Sequence, residues 1–168
     1  MKINKLKINS YGKLKDKEID LENNINIIYG KNEAGKSTLL KFIVNSFYGI
    51  SKNKKGKEYS DIEKYTPWVG EDFSGKIEYE LDDKNKFEVY RNFKKKNPKI
   101  FNENMEDISK EFNIDKSKGN EFFYEQTNVD EELFLSTLVV GQSETRLRKT
   151  RTKCISSKNI KFSWLWKW

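Results

Sequence analysis

The sequence predicts an α/β fold built around a phosphate-binding loop. Three observations predict it: a run of β-branched and aromatic residues, Ile25-Asn26-Ile27-Ile28-Tyr29; a glycine-bounded loop directly after it, ending in Gly35-Lys36-Ser37; and a change of apolar period at Leu39, Leu40, Ile43, Val44 and Phe47, which recur at three- and four-residue spacing. Strand, loop and helix then stand in register, the context that the pattern G-x-x-x-x-G-K-[ST] requires. Without that context the same residues would read as a glycine turn beside a surface lysine.

The elements follow in chain order. Leu6 and Ile8 alternate with polar neighbours, Gly12 marks a turn, Ile19 and Leu21 continue the alternation, and Asn23-Asn24 marks a second turn, so the first 30 residues read as three short strands. The third, residues 25–29, is apolar enough to be covered on both faces. The helix opening near Lys36 runs about three turns to Gly49. Residues 51–58 read as a solvated loop, and Thr66-Pro67-Trp68 as a turn. Ile77, Tyr79 and Leu81 oppose Lys76, Glu78 and Glu80, a half-buried strand that turns through Asp82–Asn85 into a second strand, Phe87 to Arg91. The region up to Gln126 is poorly patterned. Asn128, with Glu131 three residues on and Asp130 and Glu132 in the first turn, reads as a helix start, with Leu133, Phe134 and Leu138 as its buried stripe.

Composition narrows the chemistry. The 168 residues contain no histidine and one cysteine, Cys154, which removes His-based catalysis, the commonest zinc ligands and any internal disulfide. No apolar stretch is long enough for a transmembrane span, and no apolar region follows the basic N-terminus Met1–Lys7, so a cytoplasmic protein is expected. The net charge of +7 raises nucleic acid as a partner. However, residues 147–168 carry seven cations and no acid, whereas the first 146 balance 26 cations against 26 acids. The body of the chain is neutral.

The chemistry sits in Gly30, Lys31, Asn32, Glu33, Ala34, Gly35, Lys36 and Ser37, followed by Thr38. Gly30 and Gly35 allow backbone angles and close approach that let successive N–H groups converge on one anion. The following helix adds its free N–H groups and positive end. Lys36 can reach the β/γ-phosphates of ATP, and the Ser37 hydroxyl can ligate Mg²⁺. Glu33 reads as a solvated side chain. No four-residue apolar run precedes an Asp-Glu pair, so the second acidic half of a hydrolytic site is missing.

Two stretches, residues 2–14 and 25–38, resemble the YhaN-like ATPases of bacteria, members of the SMC and SbcC class of ABC-type ATPase heads. The likeness extends through Tyr65-Thr66-Pro67-Trp68, residues 73–77 and Val89-Tyr90-Arg91 to residues 139–144. It implies the N-terminal lobe of such a head over residues 1–146, with a mixed β-sheet around the loop's helix and a neighbouring antiparallel region. It also implies that Gln142 is the Q-loop glutamine contacting Mg²⁺ and the attacking water. A C-terminal lobe holding the second acidic motif, or a second head in a homodimer, is the implied partner, and DNA enters by resemblance only, through a class linked to double-strand break repair and chromosome handling. A lone lobe is expected to expose apolar surface and to hydrolyse ATP poorly.

After Arg146 the composition breaks: three of four arginines lie within six residues, and three of four tryptophans, Trp164, Trp166 and Trp168, lie in the last five. Residues 147–168 are expected to be an out-of-frame, disordered tail; the alternative is a basic aromatic segment for membranes or single strands. Two other function classes stay open. One is a complete small P-loop NTPase with an unrecognised second half-site, although no Asn-Lys-x-Asp segment for guanine is present. The other is a non-catalytic nucleic-acid module using Lys52–Lys57, Lys94–Lys96 and the tail, runs that otherwise read as solubilising loops.

Overall fold

A computed structural model describes residues 1–22, 25–50, 59–67, 72–115 and 119–137. Strands β1 (Lys2–Tyr11) and β2 (Leu14–Asp20) form a hairpin. Then come helices α1 (Lys36–Tyr48) and α2 (Asp61–Tyr65), and strands β3 (Ser74–Glu80), β4 (Lys86–Asn92) and β5 (Lys99–Asn102). A short ladder of β6 (Ile114–Asp115) and β7 (Gly119–Asn120) precedes helices α3 (Phe122–Thr127) and α4 (Glu131–Thr137). The main sheet has the order β2-β1-β3-β4-β5, and every neighbouring pair is antiparallel.

Alternation decides which face of that sheet is inner. Leu6 pairs with Ile77 and Ile77 with Val89, and all three are fully buried. Lys5 pairs with Asp20 and Lys7 with Glu18, and Lys5 bonds both acids, so the other face is charged. A bulge between Ile3 and Lys5 shifts the register, which lets Ile3 and Leu6 both turn inward although they are three residues apart. Helix α1 lies across the inner face. Phe42 sits over Gly75, where an added Cβ would stand 2.5 Å from its ring, and Phe47 packs edge-on to Tyr79 at 5.4 Å.

Two aromatic groups make most of the core. Tyr11 stacks on Tyr65 at 5.1 Å and meets Phe93 at 4.9 Å and Phe42 at 5.5 Å. At the other end Phe47 stacks on Phe123 at 4.3 Å, with Phe134 and Tyr48 around them. Two buried hydroxyls are matched within this core: Asn45 donates to the Tyr11 hydroxyl at 2.6 Å, and Tyr79 donates to Gln126 at 2.7 Å.

The hairpins and α1 therefore form where the patterning predicts. Residues 25–29 do not form the predicted strand: they join no ladder, and Ile25, Ile27 and Tyr29 are 78%, 80% and 90% exposed. The physical reason is non-local. A strand apolar on both faces needs packing layers on both, and Ile25, Ile27 and Tyr29 have no such cover among the described residues. The expected mixed sheet around the loop's helix is not found among the described residues, whose main sheet is antiparallel throughout.

The helix start read at Asn128 is also corrected. Asn128 ends α3 in the left-handed conformation (φ 55), and α4 is capped two residues later, where Leu133 N–H donates to the Asp130 carboxylate at 2.7 Å. The region that reads as unpatterned holds β5, a 3₁₀ turn at Ser109–Glu111 and α3. The turn at Asn23-Asn24, the loop at 51–58, Trp68, Leu138 and the tail lie outside the described residues.

Candidate functional site

The glycine-bounded loop leads directly into α1. Gly35 is the N-cap of that helix in the left-handed conformation (φ 102), Glu33 is left-handed too (φ 65), and Ala34 N–H closes a turn onto the Lys31 carbonyl at 3.1 Å. Such interleaving of left-handed with other conformations curls the backbone into a concavity of N–H groups. No side chain caps α1 and no acid occupies its first turn. The N–H groups of Lys36, Ser37 and Thr38 thus leave the helix end without intrahelical partners.

A side chain at either glycine would crowd a neighbour. A Cβ on Gly30 would approach the Ala34 Cβ to 3.1 Å, and one on Gly35 would approach Leu14 Cδ2 to 2.9 Å. The Lys36 ammonium folds back over the loop and donates to the carbonyls of Gly30 at 2.7 Å and Lys31 at 3.0 Å. Ser37 is exposed, whereas Thr38 is half-buried against the β1–β2 turn. Of the two hydroxyls, that of Ser37 is the accessible one. Lys31, Asn32, Glu33 and Ala34 are exposed around the loop, so no side chain roofs the cradle there.

The donor set suits a polyphosphate: backbone N–H groups, a helix N-terminus and one flexible ammonium, with a hydroxyl for Mg²⁺. Among the described residues no group of three or more acidic or sulfur side chains could hold a metal ion by itself. Gln142, the other residue expected at the metal, lies outside the described residues.

The structure adds two residues to this site. The side chains of Lys13 and Leu14, at the tip of the β1–β2 hairpin, lie over Gly35. Gly12-Lys13 reads in the sequence only as a turn, because its contact with the loop joins residues more than twenty positions apart.

Arg91, at the far end of α1, is 3% exposed and directs its guanidinium to the carbonyls of Ser46 at 2.9 Å and Phe47 at 3.4 Å, and to that of Lys96 at 3.2 Å. The helix that carries the loop at one end is thus held to β4 at the other, where its negative dipole end meets a cation.

A glycine-bounded loop ahead of a helix, with this sequence pattern, is the arrangement found in phosphate-binding loops of nucleotide-binding domains. The model of an AAA domain family matches residues 1–66. The chain is also 35% identical over 81 residues to the uncharacterized protein YhaN of Bacillus subtilis (strain 168), a match that covers 48% of this chain and 8% of that protein. Over its N-terminal part this chain is therefore similar to YhaN and to the AAA domain family. The chain spans a small fraction of the relative's length. Among the described residues no helix is long and apolar enough to cross a membrane.

Proposed function

We propose that this chain binds ATP with Mg²⁺ at residues 30–38, as the N-terminal lobe of a YhaN-like ATPase head. The observation that carries the reading is the end of α1: an uncapped helix N-terminus behind a left-handed Gly35, with Lys36 turned back over the loop. In this reading the N–H groups of the loop and of the first turn of α1 bind the phosphates, Lys36 moves from the loop carbonyls onto the β/γ-phosphates, and Ser37 ligates the metal. Bound Mg²⁺ would neutralise the phosphate charge there, with Gln142 as its second protein contact.

Turnover requires an acidic residue after an apolar strand, which this sequence lacks, so the lobe is proposed to bind ATP and to hydrolyse it only when a C-terminal lobe or a second head completes the site. The exposed row of Ile25, Ile27 and Tyr29 supports that reading, since two-residue spacing on extended chain is what a neighbouring strand would cover. A role of the whole protein in double-strand break repair is proposed from the SMC and SbcC resemblance alone. The test is a calorimetric titration of the chain with MgATP: binding that is lost in Lys36→Ala supports the reading, and binding undiminished in that variant rejects it.

A further inference from the structure

We propose that Lys13 is a second cation of the phosphate site and contacts the phosphate chain of the nucleotide held by residues 30–38. The inference rests on the nucleotide-binding reading above and adds to it a residue outside the motif.

The turn that carries Lys13 is fixed in place. Gly12 N–H donates to the Tyr65 carbonyl at 2.7 Å, and Tyr11 beside it stacks on the Tyr65 ring while its hydroxyl accepts from Asn45 of α1 at 2.6 Å. Gly12 adopts a left-handed conformation (φ 56), and a Cβ there would stand 3.1 Å from Thr38 Cγ2, so the turn rests on the first turn of α1. From that position the Lys13 side chain runs over Gly35, its Cε 3.4 Å from the place a Gly35 Cβ would occupy. Gly35 lets the loop curl, and the lysine stem lies against it at ordinary contact distance.

The ammonium is one bond beyond Cε, which puts it within reach of the rim of the cradle. Lys13 is exposed, and no ion pair or hydrogen bond engages it among the described residues. Lys36, by contrast, already serves two loop carbonyls. With no acid in the first turn of α1, nothing at this helix end competes with an incoming polyphosphate for the Lys13 charge. A flexible ammonium beside convergent N–H groups is suited to a polyanion and indifferent to the base.

The experiment titrates the 168-residue chain and its variants Lys13→Ala, Lys13→Arg and Lys36→Ala with MgATP and, separately, with inorganic triphosphate. One charge-assisted contact corresponds to about tenfold in affinity. The expected result is that Lys13→Ala weakens both ligands by about that factor, while Lys13→Arg retains most of the affinity. Unchanged affinity in Lys13→Ala, alongside lost binding in Lys36→Ala, overturns the proposal and leaves the phosphate loop standing. A loss for MgATP without one for inorganic triphosphate also overturns it, since the stem then touches the nucleoside. Binding undiminished in Lys36→Ala, or no binding by the unmodified chain, instead rejects the nucleotide-binding reading and this inference with it.

Discussion

Replacing Arg91 by Met removes a buried charged fork while keeping most of its stem, and the structure sets two opposing terms. Burial pushes the guanidinium down to about 10 from 12.5, which penalises the charged form. That penalty, about 3 kcal/mol at roughly 1.4 kcal/mol per pH unit, is relieved by the substitution. Against it stand three bonds to carbonyls, two of them from the last turn of α1. Hydrogen bonds to charged groups contribute about 1.5–3 kcal/mol each, and carbonyls in the last turn of a helix have no intrahelical partner. The bonds win: Arg91→Met is expected to destabilise the chain by about 2–5 kcal/mol, a large part of the stability of an ordinary domain. Urea unfolding followed by far-ultraviolet circular dichroism measures it, with Arg91→Lys expected in between because it keeps a charge but loses the fork. If Arg91→Met is as stable as the parent, the guanidinium is not what holds the end of α1.

Two further predictions come from the same core. Gly75→Ala places a Cβ 2.5 Å from the Phe42 ring and 2.8 Å from the Lys7 carbonyl, and the backbone oxygen of a central strand cannot move aside. It is expected to cost about 3 kcal/mol, at the upper end of overpacking effects, and to be seen as a lowered melting temperature. Stability is expected to fall as the pH rises above 10. Burial raises the Tyr11, Tyr48, Tyr65 and Tyr79 hydroxyls above 10.0, so the native state keeps protons that the unfolded chain releases. Arg91 acts in the opposite sense between 10 and 12.5, because there the unfolded chain holds the proton. The tyrosines outnumber Arg91, so the net is a loss on the order of a few kcal/mol per pH unit in that window, read from denaturation midpoints across the alkaline range.

Local signals account for the parts of the fold that were legible in the sequence. The alternation in β1, β3 and β4 reports which face is buried, and α1 is marked at its start by Gly35-Lys36-Ser37 and at its end by Gly49. Residues 25–29 show the limit of such signals. Their composition describes the neighbours a strand needs, not whether the rest of the chain supplies them. Helix α3 and strand β5 escaped detection for another reason: β5 is four residues long, and it is fixed by single contacts such as the Ser109 hydroxyl accepting from Ile100 N–H at 2.8 Å. At the site, the loop and Lys36 are visible as a motif. Lys13 and Arg91 are not: Lys13 acts through a hairpin tip folded onto α1, and Arg91 has the local sequence of any cation at the end of a strand.

The proposed nucleotide site stands on the backbone from residue 30 to 38 binding a nucleotide polyphosphate. A ¹H–¹⁵N correlation spectrum of the labelled chain, recorded with and without MgATP, tests it amide by amide. The largest shifts are expected at Ala34, Gly35, Lys36, Ser37 and Thr38, with those amides moving downfield as they gain phosphate acceptors. A spectrum unchanged by millimolar MgATP, or shifts confined to residues remote from α1, would contradict it.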